Sequence, residues 1–295
     1  MAVAPLDALA AHGFDIALVV TRTDKRRGRG NDLQASPVKQ AALRLGIPVS
    51  HAVDDCLVVG AEVGVVVAFG QLIKPNVLAT LPMVNLHFSL LPRWRGAAPV
   101  ERALLAGDDV TGVCLMQLGV GLDTGPILDV IEVRISATTT AIELRRELVQ
   151  VGSGQLIRVL SGVLPHPKPQ VGEPTYAAKL SPSEFQIDWT RSADEVHRLV
   201  RLGVAWTTYR GRRLKILAAD VDARSGSAGE FLAADVVACG NGSLHLRTVQ
   251  PEAKAAMSVG AWANGARPHV GESLAGLHTE STTPRIDHSM NSLPQ

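Results

Sequence analysis

Apolar runs of strand length alternate with segments of helical spacing over the first 160 residues of the chain. The strand-like runs are FDIALVV (14–20), GVVVAFG (64–70), MVNLHFS (83–89), GVCLMQL (112–118) and ILDVIEVRI (127–135). The segments of helical spacing are 5–12, 37–45, 99–108 and 140–160. Apolar strands that alternate with helices are typical of a parallel sheet covered on both faces. The sequence therefore predicts an α/β domain with a doubly wound, mostly parallel sheet.

A proline-rich segment, LPHPKPQVGEP (164–174), follows this pattern and has no apolar periodicity. We expect it to be a stiff linker between a first domain at 1–163 and a second domain at 175–274. In the second domain, one helical stretch precedes short β-like segments separated by glycine turns, a pattern typical of a small β-barrel. Residues 275–295 contain few large apolar side chains, which predicts a disordered tail.

The composition is that of a globular protein with a sizeable core, since 46% of its 295 residues are hydrophobic. Cys56, Cys114 and Cys239 lie far apart and form no CxxC pair, so the sequence predicts neither a disulfide framework nor a thiolate zinc site. A reducing cytoplasm fits these thiols. The first twenty residues have no basic start, and polar residues interrupt their apolar ones, so we predict neither a signal peptide nor a membrane span.

Positive charge is concentrated in two segments, although the net charge is only +1. The segment RTDKRRGRG (22–30) holds five basic residues against one acidic residue, and the segment 189–215 holds seven against two. Such clusters are often solvated faces, and they are also what binding to a nucleic acid requires. Charge alone leaves both interpretations open.

Three polar side chains interrupt the third apolar run at alternate positions. Asn85, His87 and Ser89 would share one face of a strand, near its carboxyl end, where open parallel sheets bind ligands. Asp123 lies in the glycine-rich loop after the next strand, and we expect it to reach the same edge. An amide, an imidazole and a carboxylate can stabilise an oxyanion and move a proton, as acyl transfer to an amine requires.

Each of these residues also has a plain structural explanation. His87 could be a hydrogen-bonded core histidine, Asn85 a turn residue, and Asp123 the cap of a turn. The sequence contains no GxSxG nucleophile elbow, which favours direct transfer over an acyl-enzyme. The loop GVGLDTG (119–125) does not match the dinucleotide-binding fingerprint. Spacing alone does not decide between the catalytic and the structural interpretation.

The motifs VNLHFSLLPRWRGAAP (84–99) and GDDVTGVCLMQLGVGLDTG (107–125) resemble those of folate-dependent formyltransferases, most closely the members that act on methionyl-tRNA. The resemblance runs from Ala2 to about Leu274 and includes AWTTYRGRRLKILAA (205–219). It implies a formyltransferase-type, Rossmann-like domain followed by an OB-like, tRNA-binding barrel. It also implies transfer of a formyl group from 10-formyltetrahydrofolate to the methionine amino group of initiator tRNA, in translation initiation.

The resemblance assigns roles to individual residues. Asn85 and His87 would polarise and hold the formyl oxygen, Asp123 would orient His87 and assist proton movement, and Ser89 would support them. The folate would lie against Phe69, Gly70, Leu72, Ile73, Ser89, Leu90, Leu91, Pro92, Gly121 and Leu122. The tRNA would meet Arg22, Lys25, Arg26, Arg27, Arg29, Arg210, Arg212, Arg213 and Lys215. No metal is implied, and we expect a cytoplasmic monomer that does not bind membranes.

The sequence departs from the family pattern most clearly at its start. The family's first strand, which is central in the sheet, and the glycine turn after it are absent before Met1. Such a truncation would leave the two neighbouring strands unpaired and expose apolar surface. We expect a start codon assigned too far downstream, and a stop codon directly before Met1 in the genomic sequence would exclude this. The segment 48–65 is also short, and the segment 201–209 lacks a proline-rich turn.

Three functions remain open at this point. The first is formylation of initiator methionyl-tRNA, which RGAAP, GLDTG and the basic segments favour. The second is a formyltransferase or formylfolate hydrolase of the same fold that acts on another amine, such as a sugar nucleotide, or on water. The third is an inactive RNA-binding remnant, which the missing strand favours and the intact polar residues disfavour.

Overall fold

The computed structural model describes residues 1–27 and 32–275. Contacts divide the chain into two units, the first formed by residues 1–181 with 201–203 and the second by 182–200 and the described residues after 203. The division therefore falls after Ser181 and not within the proline-rich segment, which belongs to the first unit. Within the described ranges, no helix is both long and apolar enough to cross a membrane.

The first unit is an α/β unit with five helices in its described residues. These helices are α1 (Val3–Ala11), α2 (Pro37–Arg44), α3 (Pro75–Thr80), α4 (Pro99–Ala106) and α5 (Ala141–Leu160). The strands are β1 (Val19–Val20), β2 (Lys25–Arg27), β3 (Asp32–Gln34), β4 (Val49–Ser50), β5 (Gly64–Val67), β6 (Met83–His87), β7 (Arg95–Gly96), β8 (Val110–Gln117), β9 (Ile127–Arg134) and β10 (Tyr176–Ala177). The predicted helices and the four later apolar runs are all present.

The main sheet has the strand order β5, β6, β8, β9. Strands β5 and β6 are parallel, whereas β8 runs antiparallel to β6 and β9 antiparallel to β8. The predicted fold class is confirmed, with a sheet that is mixed beyond β6. An apolar run shows that a strand is buried but not which way it points, so the sequence could not reveal this reversal.

Strands β1 and β4 form a separate parallel pair of two residues each. In the described chain, β1 has only β4 as a partner and β5 has only β6, so one edge of each of these two strands is unpaired. This explains why only Val19 and Val20 of the predicted strand 14–20 are paired. An apolar cavity of about 260 Å³ lies between the edges. Its lining includes Leu6, Leu9, Ile16, Val20, Val65 and Val67.

Helix α5 packs against β8, β9 and α1 and closes one side of the main sheet. It begins at a capping box, in which the Thr140 hydroxyl accepts the N–H of Glu143 and the Glu143 carboxylate accepts the N–H of Thr140. Leu144, Leu148 and Leu156 of this helix are fully buried. The four-residue spacing of Leu144 and Leu148 therefore builds the apolar face that the helical pattern predicts.

The second unit is a curled antiparallel sheet with helices α6 (Ala193–Val200) and α7 (Val259–Ala266). Its strands are β11 (Trp206–Tyr209), β12 (Arg212–Asp222), β13 (Phe231–Ala233), β14 (Val236–Ala238), β15 (Ser243–Pro251) and β16 (Met257–Ser258). The core includes Trp189, Phe231 and Trp262, and the Phe231 and Trp262 rings stack with centroids 6.2 Å apart. Arg210 and Gly211 both have positive φ and join β11 to β12 in a tight turn.

Two predictions concern segments at the limits of the described chain. The basic segment 22–30 contains strand β2, which pairs antiparallel with β3 beyond the segment, and Arg29 lies outside the described residues. Of the predicted disordered tail 275–295, Ala275 is paired with Thr208 across an antiparallel bridge. Residues 276–295 lie outside the described residues.

Candidate active site

Strand β6 presents Asn85 and His87 on one face, at alternate positions as the sequence predicts. Within the described chain, the side-chain amide of Asn85 has no protein hydrogen-bond partner, and Asn85 is partly accessible. His87 is buried, with 5% of its surface exposed. The strand therefore offers an available amide two residues from a buried imidazole.

The two ring nitrogens of His87 have different neighbours. Nε2 lies 2.9 Å from the carbonyl oxygen of Trp94, and Nδ1 lies 3.7 Å from Oδ2 of Asp123. A carbonyl only accepts, so the Nε2 contact requires the proton on Nε2. Burial lowers the pKa of His87 below its usual 6.5, against the opposing effect of Asp123. The ring is therefore neutral near pH 7, with the Nδ1 lone pair on the Asp123 side.

Asp123 lies beside His87 although it follows β8, which runs antiparallel to β6. Gln117 at the end of β8 pairs with Val84 at the start of β6, so the loop 118–126 must return along β6 to bring Asp123 to His87. The sequence predicts the meeting correctly, but the expected reason, a shared carboxyl edge of parallel strands, is wrong. The N–H of Gly96 donates to Oδ2 of Asp123 at 2.8 Å and fixes the carboxylate.

Gln170 holds the Asp123 loop from the proline-rich segment. Its Nε2 donates to the carbonyl oxygens of Asp123 and Gly125, both at 2.8 Å, and its Oε1 accepts from Nη2 of Arg95 at 2.6 Å. Lys168 in the same segment exchanges backbone hydrogen bonds with Ile127. The segment predicted as a linker therefore also supports the site. Nothing in the local sequence points to Gln170, since proline content predicts only an extended backbone.

Ser89 is fully buried, and its hydroxyl donates to the carbonyl oxygen of Arg93 at 2.6 Å. This bond ties the two ends of the turn through Pro92. The hydroxyl thus already has a protein acceptor, and the predicted support of the catalytic residues by Ser89 stays a prediction.

The predicted folate residues differ in accessibility. Ile73 and Leu91 are buried in the apolar core, and Phe69 packs beside Ile73. Leu72 and Leu122 are 81% and 59% exposed. Gly70 and Gly121 are exposed, whereas Leu90 and Pro92 are half-buried. The contribution of these residues to folate binding stays a prediction.

Four of the five predicted tRNA residues of the first unit lie on or just before β2, in the strand pair β2–β3 that we call the basic hairpin. Lys25 and Arg26 are exposed on β2, and Arg22 is half-buried before it. The backbone of Arg27 belongs to β2.

In the second unit the predicted tRNA residues have different surroundings. Arg210 binds the Glu272 carboxylate, with Nε to Oε1 at 2.6 Å. The guanidinium of Arg213 stacks over the Trp206 ring, 4.1 Å from its centroid. Arg212 is exposed and Lys215 is half-buried on the same strand. Arg210 therefore has a structural function, whatever its role towards RNA.

Within the described residues, no group of three His, Cys, Asp or Glu side chains is placed to hold a metal ion. The chemistry available at the site is that of an amide, a neutral imidazole and a carboxylate. Those groups can stabilise a developing oxyanion and accept a proton from an amine.

Residues 2–160 match the formyl transferase family, and residues 179–267 match the formyl transferase C-terminal domain. The chain belongs to the formyl transferase family. Within it, the chain is 41% identical to the methionyl-tRNA formyltransferase of Neisseria gonorrhoeae, over 92% of this chain and 96% of that protein. The methionyl-tRNA formyltransferase of a Jannaschia species is also 41% identical, over 89% of this chain and 92% of that protein.

A solved structure with the same fold is the N-formyltransferase from Helicobacter canadensis in complex with folinic acid and dTDP-3-aminofucose. It has a TM-score of 0.65 and 17% identity, over 85% of this chain and 95% of that chain. At this identity the likeness concerns the fold alone.

Proposed function

We propose that this chain transfers the formyl group of 10-formyltetrahydrofolate to the methionine amino group of initiator methionyl-tRNA, for translation initiation. The observation that carries the proposal is the arrangement of the His87 ring, with its single proton on Nε2 and its Nδ1 lone pair beside Asp123. The relatives at 41% identity, which are named methionyl-tRNA formyltransferases, support the same substrates.

The residues supply the steps of a direct transfer. As the amine nitrogen bonds to the formyl carbon, the carbonyl oxygen gains negative charge, which the Asn85 amide stabilises by donating a hydrogen bond. Nδ1 of His87 accepts the proton that the amine loses, and Asp123 stabilises the resulting imidazolium. The Nδ1–H can then donate to the oxyanion, as predicted, and finally to the departing folate nitrogen. The products are the formylated amine and tetrahydrofolate.

The proposed co-substrate is a folate that carries its formyl group on N10. A folate-type co-substrate is supported by the formyl transferase family and by solved neighbours in complex with folinic acid or tetrahydrofolic acid. We place the folate beside the Asp123 loop and the segment 69–73, where Leu72 and Leu122 offer exposed apolar side chains.

The proposed tRNA interface includes the basic hairpin of the first unit and the basic strand β12 of the second. Phosphate contacts make the binding constant depend on salt. The slope of its logarithm against the logarithm of the salt concentration falls in magnitude by about 1 for each contact removed. We expect Lys25→Ala and Arg212→Ala to weaken tRNA binding and reduce the salt slope in this way. Arg247→Ala is the control, because Arg247 is paired with Asp220. Unchanged slopes in both test variants would contradict the proposed interface.

The test of the reaction is a formylation assay with methionyl initiator tRNA and 10-formyltetrahydrofolate. We expect His87→Ala and Asn85→Ala to lower kcat by a factor on the order of 100 to 10,000, the usual contribution of such groups. His12→Ala replaces an exposed histidine and is expected to retain activity. Formate release without transfer would favour the hydrolase, and RNA binding without turnover would favour the remnant. Full activity of His87→Ala would exclude the proposed mechanism.

We also propose a cytoplasmic location and a monomeric state. Cys56, Cys114 and Cys239 are free thiols, as a reducing compartment allows. Light scattering of the purified protein tests the monomer, and a mass twice that of the chain would contradict it.

A further inference from the structure

A series of contacts connects His87 to the end of helix α4. The helix ends where Gly107 adopts a left-handed φ of 76°, and the N–H of Asp108 then donates to the carbonyl of Ala103 at 3.0 Å. This cap fixes the backbone at Asp108, whose side chain is 13% exposed. The Asp108 carboxylate is thus held in one position beside the turn that follows β6.

Asp108 binds two neighbouring residues of that turn. Its Oδ2 accepts from the indole Nε1 of Trp94 at 2.7 Å and from Nε of Arg93 at 2.9 Å, and its Oδ1 accepts from Nη2 of Arg93 at 2.5 Å. The Arg93 guanidinium also lies over the Trp94 ring, 4.5 Å from its centroid. The Asp108 carboxylate therefore fixes both the indole ring of Trp94 and the side chain of Arg93.

The backbone of Trp94 is strained. Its φ is 64°, in the left-handed region that a large side chain rarely adopts. Its N–H donates to Oγ1 of Thr175 at 2.9 Å, and its carbonyl accepts from Nε2 of His87 at 2.9 Å. The contacts of Trp94 thus impose a strained backbone whose carbonyl faces the imidazole.

Two acceptors compete for the single proton of the neutral His87 ring. The Trp94 carbonyl favours the proton on Nε2, whereas the Asp123 carboxylate, 3.7 Å from Nδ1, would favour it on Nδ1. Only the first arrangement leaves Nδ1 able to accept a proton from a substrate. If the Trp94 carbonyl moved away, the proton would pass to Nδ1 and the ring could no longer act as a base there.

We infer that Trp94 and Asp108 are positioning residues that hold His87 in the Nε2–H tautomer and so keep Nδ1 ready to accept the amine proton. The catalytic part of this inference rests on the proposed function. The tautomer itself is a property of the free protein. Sequence reasoning missed both residues, because the contact to His87 is made by a backbone carbonyl.

The experiment measures the tautomer of His87 by nitrogen-15 NMR of the histidine-labelled, substrate-free protein, with the resonance assigned by His87→Ala. Trp94→Phe keeps an aromatic ring and removes the indole N–H, and Asp108→Asn removes the charge without changing the size. Asp129→Asn is the matched control, because Asp129 is also paired with an arginine, Arg158, and does not contact His87. Activity and thermal stability are measured on the same samples.

We expect the Nε2–H tautomer in the unmodified chain and in Asp129→Asn, and a growing Nδ1–H fraction in Trp94→Phe and Asp108→Asn. In these two variants kcat should fall about 10- to 100-fold, part of the usual general-base contribution, with little change in KM. An Nδ1–H tautomer in the unmodified chain would overturn the inference. So would an unchanged tautomer in both folded variants. If the chain formylated no tRNA, the NMR result would still decide the tautomer.

Discussion

Nδ1 of His87 lies 3.7 Å from Oδ2 of Asp123, although the strands that lead to these two residues run in opposite directions. At this distance the carboxylate does not bond directly to the neutral ring, and it lies close enough to stabilise the ring once Nδ1 is protonated. The Asp123 carboxylate is therefore placed to stabilise the protonated ring that forms after proton transfer, rather than the neutral ring of the free protein.

The pH dependence of activity follows from burial of His87. Burial lowers its pKa below 6.5, so the neutral, proton-accepting ring predominates above that pH. We expect kcat/KM to be constant above about pH 6.5 and to fall below the lowered pKa. Asp123→Asn removes the charge that opposes the shift, so the acidic limb should move to still lower pH while kcat falls. A limb that moved to higher pH would contradict this account.

The same burial affects stability, because His87 takes up a proton less readily when folded than when unfolded. Unfolded His87 has the usual pKa of 6.5, so between 6.5 and the lower folded value the unfolded chain binds more protons. Stability from the neutral ring is complete above pH 6.5 and is lost as the pH falls through this window. Denaturant unfolding of the unmodified chain and of His87→Gln at several pH values in this range measures the effect. An unfolding free energy that changes equally with pH in both proteins would contradict it.

Gln170→Ala should reduce both stability and kcat, because it removes the two hydrogen bonds that fix the Asp123 loop and leaves Arg95 without its acceptor. Each net hydrogen bond contributes about 1 kcal/mol. We expect a loss of about 1–2 kcal/mol in urea unfolding and a lower kcat. Gln40→Ala, at an exposed glutamine, is the control. A kcat equal to that of the control would show that the loop keeps its position without Gln170.

Two glycines of the first unit should respond to alanine in opposite directions. A Cβ on Gly125 would lie 1.9 Å from the carbonyl oxygen of Gln117, so Gly125→Ala must displace the Asp123 loop and should destabilise the protein. A Cβ on Gly154, exposed within α5, would meet nothing within 4 Å. Gly154→Ala should stabilise the protein by about 0.5–1 kcal/mol. Thermal unfolding of both variants checks this, and changes of the same sign would refute it.

Hydrogen exchange should distinguish the β1–β4 pair from the main sheet of the first unit. Strands β1 and β4 pair over two residues and β1 borders an apolar cavity, whereas β6 is paired on both sides. Strands with few paired neighbours open at a lower free energy. We expect the amide of Val19 to exchange well before that of Leu86 in native-state measurements. Equal protection would indicate that both sheets open together.

The sequence was sufficient for features that depend on local pattern. Alternation placed Asn85 and His87 on one face, and the position of Asp123 in the loop after the next strand predicted that it reaches the same edge. The antiparallel direction of β8 was missed because apolar content carries no direction. Gln170 was missed because its contacts depend on tertiary structure, and Trp94 because it acts through its carbonyl, which every residue has.

The segment 83–125 contains the three proposed catalytic residues together with Trp94 and Asp108. Contacts between residues close in sequence form at a small loss of chain entropy. The centre of the site therefore comes from a segment that is local in sequence. The reacting groups thus come from one short stretch of chain, but their placement also needs contacts between residues 47 and 81 positions apart, those of Gln170 with Asp123 and of Trp94 with Thr175.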